Sequence, residues 1–433
     1  RFIAETPISM QSRFSWRLVI LFALLETAAS QQRTLRSFWP WKSRAHNFGA
    51  GPAALPEAVL RRAQAELLDY SGSGYSVLEW TNLDAQSGQH PGVAASGQKL
   101  QEMFIATEQK LRNTLDIPSD YAVLFMHGGA VGQFSAVPMN LLGAAGAKAD
   151  YIDMGFWSRR AMGEASKYGD VKNLTAFVGD GPAPWAAWER AARPDATHVH
   201  ITLSETVQGV ELHTDPPASW AGPPVVLDAT STILSRPLDV GRYGLIYASG
   251  GKNIPTGLAV VIIRRSFLAA TSALPITPQI FEYRTNAGAL SPPSIFESKP
   301  NTPPTFAVYL LGLILDHVKE EGGLHSIAQR VQARAVKLYE TAASAGGGHF
   351  YRNGVHADAR SRMNAVFTLP TRELERKFVA AAEKSGLHHL YGHPVSGGIR
   401  VTMYNWVRDE SVAAVAKFMR KFAESHAAPK SEL

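Results

Sequence analysis

The sequence predicts an α/β protein, with a large domain built on a mostly parallel sheet and a small C-terminal α/β domain. From Asn47 onward, strand-like runs rich in Val, Ile, Leu and Tyr alternate with helix-like segments, which is the pattern of a layered α/β fold. With 433 residues of which 45% are apolar, the chain can bury one large core or two moderate ones. A long helical stretch near the middle is followed by further strand-like runs, which sets off the smaller domain.

In chain order, Tyr121–Phe125 reads as a strand followed by a glycine turn and a helix-like run from Gln133. Strand-like Asp150–Asp153 precedes helix-like Ser158–Lys167, and His198–Leu203 supplies another strand. Pro224–Leu227 and Gly244–Ala248 are short apolar runs of the kind that form buried parallel strands giving way to loops. A helical stretch, Thr305–Ala345, is interrupted only at Glu321–Gly323. Beyond it, Asn364–Leu369 and Ile399–Tyr404 read as strands of the small domain. The expected division is 47–305 and 306–433, with segment 47–70 free to pack on the small domain. No internal repeat or low-complexity segment is present.

Residues 1–46 read as targeting sequence. Leu18–Leu25 is a short apolar core behind Arg13 and Arg17, followed by Ala28-Ala29-Ser30. It is too short to span a membrane, so no membrane association is expected of the mature form. Met10 reads as the start, and Gln31–His46, which bears Arg and Ser and no acid, resembles a transit peptide. A signal-like segment followed by a transit-like one predicts bipartite import into a plastid, with mitochondrion or cytoplasm as alternatives. A fold-integral N-terminal helix is the remaining option.

Composition excludes several classes of function. There is no cysteine, so thiolate catalysis, disulfides and cysteine metal sites are ruled out. No metal site is expected. The net charge is +6, but residues 1–46 hold seven basic and two acidic residues and so account for most of it. The rest is nearly neutral and has no basic stripe, so nucleic acid is not an expected partner.

Asp228 ends one apolar run, and Lys252 follows another 24 residues later. Ligands of open α/β sheets bind at such carboxyl ends. Pyridoxal phosphate works as an electron sink when a lysine amine condenses with its aldehyde and a carboxylate keeps its ring nitrogen protonated. Asp228 and Lys252 are candidates for these two roles, although a helix cap and a solvated loop lysine would look the same in isolation. Between strand and helix, His127-Gly-Gly-Ala-Val-Gly132 has the makings of a phosphate cradle, because glycines admit backbone N–H groups and a helix N-terminus favours an anion. It is neither a Walker loop nor a dinucleotide fingerprint. An ordinary tight turn is the other reading. The order of cradle, carboxylate and lysine is that of fold-type I pyridoxal phosphate enzymes.

The residues also carry a family resemblance from Asn47 to the C-terminus. The chain resembles the phosphoserine aminotransferases, class V enzymes of fold type I, in NFGAGPAALP (Asn47–Pro56), GYSVLE (Gly74–Glu79), HGGAVGQFSAVPMNLL (His127–Leu142) and SETVQGVE (Ser204–Glu211). Further matches are STILSRPLDVGRYGLIYA (Ser231–Ala248), GKN (Gly251–Asn253), NTPPTFAVYLLGL (Asn301–Leu313) and GGIRVTMYN (Gly397–Asn405). The resemblance implies that the cofactor is pyridoxal 5'-phosphate, that Lys252 links to it and that Asp228 partners its ring nitrogen. It likewise implies that Trp157 stacks on the ring, Thr206 bonds its phenolic oxygen, and Ala130 and Val131 meet its phosphate through backbone amides. Asn301 and Thr302 match a pair that reaches that phosphate from the neighbouring subunit, which implies a homodimer. Arg400 matches the arginine that holds the α-carboxylate, a task suited to a planar fork. The residues alone allow a core indole for Trp157 and a surface position for Arg400.

The implied reaction is ping-pong transamination between L-glutamate and 3-phosphohydroxypyruvate, giving 2-oxoglutarate and phosphoserine for L-serine biosynthesis. The departures cluster where the family grips substrate phosphate. After Glu79 the family expects Ser-His-Arg, and this chain has Thr81-Asn82-Leu83 and then an insertion containing His90. An expected His-Arg is His393-Pro394, and Val131 stands where some members carry arginine. Charge-assisted hydrogen bonds contribute about 1.5–3 kcal/mol each, so replacements are needed if phosphate is still bound. His90 and His393 are the leading candidates, followed by Arg284, Lys299 and Arg159. The alternative is an aminotransferase of the same fold acting on alanine, serine or glyoxylate.

Overall fold

Runs of β-branched and aromatic residues form the central sheet of the computed structural model, which describes residues 44–80, 91–178, 181–288, 301–394 and 396–426. The unit that starts at His46 carries the whole of the following description. Its sheet has seven strands: β1 (Tyr121–Met126), β2 (Lys148–Asp153), β3 (Asp170–Thr175), β4 (Ala196–Thr202), β5 (Val225–Asp228), β6 (Leu245–Ser249) and β7 (Ala259–Arg264). The spatial order is β1-β7-β6-β5-β4-β2-β3. Six strands run in one direction, and β7 is antiparallel to both neighbours, β6 and β1. The parallel strands therefore end on one common edge, where β1, β5 and β6 deliver the His127 turn, Asp228 and the Lys252 loop.

Both faces of the sheet are buried, which is why its central strands are apolar along their length. The two-residue period of a strand divides their side chains between two clusters. Val123, Phe125, Val225, Leu227, Ile246 and Ile262 belong to one, and Ala122, Leu124, Val226, Leu245, Val261 and Ile263 to the other. The first cluster is covered by α2 (Pro91–Leu115) and α5 (Thr305–Glu320), with α1 (Glu57–Glu66) packed alongside. The second is covered by α3 (Ala130–Leu141) and α4 (Phe156–Ala165).

A third cluster joins Phe48 to residues of α6 (Gly323–Ser344), α7 (Arg372–Lys384), α8 (Asp409–His426) and an antiparallel sheet. That sheet has the order β8-β10-β9, from β8 (Asn364–Phe367), β9 (Tyr391–His393) and β10 (Gly397–Thr402). His46–Asn47 adds a short parallel pairing with Leu387–His388, so the start of this unit is tied to its C-terminal part. The helical stretch expected over Thr305–Ala345 is two helices, broken at Glu321–Gly322 where Gly322 takes φ +88°. A left-handed residue at that point is what glycine permits at little cost.

Two strands of the large sheet were not singled out in the sequence. β7 has a buried run, Ala259–Ile263, that reads like any parallel strand, yet only the short Gly250–Leu258 connection precedes it. Without a crossover helix it must return antiparallel to β6. β3 buries only Leu174 fully, because it lies at the sheet edge and is polar along its length. Among the described residues, no helix is long and apolar enough to cross a membrane.

Candidate active site

The cradle, Asp228 and the Lys252 loop hang from the carboxyl edge of the large sheet, and Arg400 and His393 come from the small sheet. After β1, His127-Gly-Gly turns the chain into α3, with Gly128 at φ +102° and Gly129 as the N-cap. A Cβ on Gly129 would sit 3.2 Å from the Ser249 hydroxyl, a tight contact, and Gly128 takes the positive φ that favours glycine. The first N–H groups of α3, at Ala130 and Val131, have no partner within the helix and meet the positive end of its dipole. Such a cradle suits a phosphate.

Asp228 closes β5 and is buried. Its Oδ1 accepts the Thr230 N–H at 2.9 Å. Burial pushes the carboxyl above its ordinary range, while Thr230, Lys252 and Tyr247 pull the other way. An anion in this setting calls for a positively charged partner, and the protonated nitrogen of a pyridine ring meets that need.

Lys252 sits in the turn that follows β6. Gly251 N–H donates to Ile254 O at 2.9 Å, and Gly250 N–H donates to Leu258 O at 2.7 Å, which closes the loop. Burial lowers the Lys252 amine to about 8, opposed by the charges of Asp228 and Glu205 and assisted by that of Arg400. A lysine so placed is neutral in a useful fraction near physiological pH, as a nucleophile or proton carrier must be. The N-terminal segment covers the loop: Ala53 N–H donates to Gly251 O at 2.9 Å, and a Cβ on Gly51 would lie 3.9 Å from Lys252 Cγ.

Trp157 is the second residue of α4 and is fixed at both ends. Its backbone N–H donates to Glu205 Oε2 at 2.9 Å, and its indole Nε1–H donates to the Thr206 hydroxyl at 3.0 Å. Ser158 N–H donates to the other oxygen of Glu205 at 2.7 Å. Glu205 is fully buried, and burial pushes its carboxyl upward. Gly155 gives it room, since a Cβ there would lie 2.6 Å from the Gln208 side chain and 3.0 Å from the Glu205 carboxyl carbon. Sequence reasoning missed Glu205. The only signal was its place beside Thr206 in SETVQG, because a carboxylate serving a distant helix N-terminus has no local signature.

Arg400 lies on β10 and is partly buried, with Nη1 donating to Thr206 O at 3.2 Å. Burial lowers its pKa. His393, on neighbouring β9, has its ring 4.8 Å from that of Phe156, and burial and the Arg400 charge lower its pKa. The small sheet thus presents Arg400 and His393 toward the segment that carries Trp157. Among the remaining replacements for the family arginines, Arg159 is engaged with Asp153 at 2.8 Å, and Arg284 Nη2 donates to the Leu268, Ala269 and Thr271 carbonyls. Arg159 Nε and Arg284 Nη2 thus serve the scaffold. His90 and Lys299 lie outside the described residues.

Asn301 and Thr302 are exposed, and the Thr302 carbonyl is 2.7 Å from His127 Nε2 of the same chain. This brings the Asn301–Pro304 turn beside the cradle. The site as a whole therefore offers an anion cradle, a buried acid, a nearby amine of lowered pKa, an indole with a hydroxyl, and an arginine fork. These are the parts that hold pyridoxal phosphate and an amino acid, and the residues fit that cofactor.

Comparison with known proteins agrees with this chemistry. The aminotransferase class-V family model matches residues 45–415. The chain is 42% identical over 387 residues to a phosphoserine aminotransferase of Laribacter hongkongensis, covering 88% of this chain and 99% of the relative. Its structure resembles that of the phosphoserine aminotransferase from Bacillus circulans subsp. alkalophilus, with a TM-score of 0.78, 34% identity and coverage of 89% and 99%. It also resembles the pyridoxal phosphate-bound phosphoserine aminotransferase from Trichomonas vaginalis, with a TM-score of 0.74, 31% identity and coverage of 87% and 99%. On the extent of these matches, the chain belongs to the class-V aminotransferases of fold type I, in the phosphoserine aminotransferase family.

Proposed function

We propose that this protein transfers an amino group from L-glutamate to 3-phosphohydroxypyruvate, producing 2-oxoglutarate and phosphoserine for L-serine biosynthesis. The supporting observation is that Lys252 and Asp228 meet at one edge of the large sheet while Thr206 joins Trp157 to Arg400 of the small sheet, in a chain 42% identical to a phosphoserine aminotransferase. The alternative, an unphosphorylated substrate such as alanine, serine or glyoxylate, is not favoured by these relatives.

In this reading, bound pyridoxal phosphate supplies the electron sink for cleavage at the substrate Cα. The N–H groups of Ala130 and Val131 hold its phosphate, and Asp228 holds a proton at its ring nitrogen. Trp157 covers the ring and excludes water from one face, while the Thr206 hydroxyl, already accepting from the indole, donates its own hydrogen to the phenolic oxygen. Lys252 Nζ is the covalent attachment point. As a neutral amine it would take up the proton lost from the substrate Cα. Arg400 grips the α-carboxylate and so fixes which bond at Cα is aligned for cleavage. His393, with His90, meets the substrate phosphate in place of the family arginines.

Several finer points belong to the same proposal. Residues 1–46 form a targeting presequence directing the chain to a plastid. The mature part divides at 305/306 into a large cofactor-binding domain and a small C-terminal domain. Two copies associate, with Asn301 and Thr302 of each completing the phosphate site of the other.

The test is to follow the cofactor absorbance of purified protein beginning near His46 during titration with L-phosphoserine, L-serine and L-alanine. Half-transamination by phosphoserine at much lower concentration than by the other two is expected. If serine or alanine acts at the lower concentration, the substrate assignment is wrong and the family assignment stands. Light scattering on the same sample checks the dimer, and a fluorescent fusion of residues 1–46 checks the compartment.

A further inference from the structure

A short hairpin beside Trp157 pairs Ser204 with Glu211 and Glu205 with Val210. Thr206 lies in its turn, and its second strand ends on Glu211, which is buried. The segment 360–362, which leads into β8, lies along this hairpin: Val210 bridges to Arg360, and Ser361 N–H donates to Gly209 O at 2.8 Å. The Ser204 and Ser361 hydroxyls are 3.1 Å apart. Arg362 then engages both oxygens of Glu211. Its Nε and Nη2 donate to Oε1 at 2.9 and 2.5 Å, and its backbone N–H donates to Oε2 at 2.8 Å.

A carboxylate removed from water needs charged or hydrogen-bonded partners, and a planar guanidinium meets that need in a fixed direction. Burial works to raise the Glu211 pKa, but His213 and Arg362 outweigh it and hold it down to about 2. Because one residue supplies side-chain and backbone donors together, the joint fixes the main chain of Arg362 as well as its guanidinium. Two residues further on β8 begins, and within it Val366 pairs with Arg400 of β10. On the hairpin side, Glu205 accepts from the N–H groups of Trp157 and Ser158, and Thr206 accepts from the indole. There is little clearance between the two parts, since a Cβ on Gly209 would lie 3.0 Å from Asn364 O. The strand bearing Arg400 and the residues holding Trp157 are thus referenced to one hairpin.

We propose that the Glu211–Arg362 joint positions Arg400 relative to Trp157 and Thr206, and so sets where the α-carboxylate of the substrate is held. Both are positioning residues, acting through β8 and β10. The inference rests on the proposed role of Arg400. The bond from Arg400 Nη1 to Thr206 O, at 3.2 Å, is a single contact and does not fix a strand by itself. A misplacement of about 1 Å in such a grip costs up to about a hundredfold in rate, so the site needs a rigid joint outside it.

The experiment uses the holoenzyme and follows the cofactor absorbance during titration with L-glutamate and with methylamine, an amine that carries no carboxylate. Arg362→Lys keeps the charge and loses the fork, and Glu211→Gln, the milder change, keeps the shape and loses the charge. Arg193→Lys is the control: Arg193 holds buried Asp150 of β2 in the same manner, through Nε at 2.7 Å and its backbone N–H at 2.6 Å, apart from the hairpin. Arg362→Lys is expected to weaken L-glutamate binding about tenfold and Glu211→Gln about threefold, with methylamine unchanged in both. Arg193→Lys changes neither titration, although it too lowers the thermal midpoint. Added to Arg400→Lys, Arg362→Lys should cause no further loss, because the joint acts only through that arginine. Equal weakening of both amines, additive losses in the double variant, or wild-type titrations in both single variants overturns the joint and leaves the Arg400 assignment standing. L-glutamate binding unaffected by Arg400→Lys overturns both.

Discussion

Trp157 and Thr206 are joined by a 3.0 Å hydrogen bond from the indole Nε1–H to the threonine hydroxyl, so two residues assigned to separate contacts with the cofactor act as one wall. Each is also tied to the scaffold: the Trp157 N–H to Glu205, and the Thr206 carbonyl to Arg400. The wall therefore connects the large sheet to the strand that carries Arg400. Replacing Thr206 by valine keeps its shape but leaves the indole N–H without its acceptor, a loss of about 1–2 kcal/mol. Equilibrium dialysis should show pyridoxal phosphate binding weakened by roughly five- to thirty-fold. Unchanged affinity would mean that the indole is held by packing alone.

Lys252 should react as an amine of lowered basicity even without cofactor. Burial outweighs the attraction of Asp228 and Glu205 and brings it to about 8 from its ordinary 10.5. The neutral form is the nucleophile, so acylation of Lys252 in the apoprotein should rise through about pH 8 and then level off. Peptide mapping at a series of pH values follows this one lysine. A rate still climbing at pH 10 would contradict the burial argument.

Much of this site was legible in the sequence, for a physical reason. Asp228 and Lys252 each follow an apolar run, and strand ends of a parallel sheet converge on one edge, so the two runs imply the meeting of the two residues. The His127-Gly-Gly turn is similarly local, because the glycines that form the cradle are contiguous. Glu205 was not legible, because in sequence a buried carboxylate looks like any other polar residue, and the N–H groups it accepts from belong to a helix distant along the chain. The antiparallel course of β7 was hidden similarly, since Ala259–Ile263 is as apolar as its parallel neighbours and only the length of the preceding loop sets its direction.

Arg400 should resist replacement by lysine. Its Nη1 is already committed to Thr206 O, which orients the fork and leaves the other donors for a carboxylate. Lysine keeps the charge but loses the planar pair of donors. Arg400→Lys should raise KM for L-glutamate by about tenfold or more, with a smaller fall in kcat. Steady-state kinetics separate the two, and a KM within a factor of two of wild type would move the carboxylate site elsewhere.

Stability should fall on mild acidification. Burial holds His198 and His200 neutral and lowers both from 6.5 to about 3, with His198 adding to the shift of His200. Between those values the unfolded chain binds more protons than the folded one, so stability is lost as pH falls below 6.5. Each histidine contributes up to about 1.4 kcal/mol per pH unit well below that point. Denaturant midpoints of the apoprotein should therefore drop steadily from pH 6.5 to 5. His198→Phe, similar in shape and unable to titrate, should remove about half the slope if the two imidazoles dominate it.

Gly250 gives the sharpest test of how the fold delivers the lysine. A Cβ there would lie 1.8 Å from Pro255 O and 3.0 Å from Leu258 O, both backbone atoms of the loop that carries Lys252. Neither can yield without opening the Gly250–Leu258 closure. Gly250→Ala should lower stability by about 1–3 kcal/mol, in line with overpacking elsewhere, and should also abolish covalent attachment of pyridoxal phosphate. Gly392→Ala provides the contrast, since its Cβ would lie 1.8 Å from Gly397 O in the small sheet, away from the lysine loop. It should destabilise the protein comparably while leaving attachment intact. Mass spectrometry after borohydride reduction distinguishes the two variants. Equal attachment in both would show that Lys252 reaches the cofactor without the closed loop.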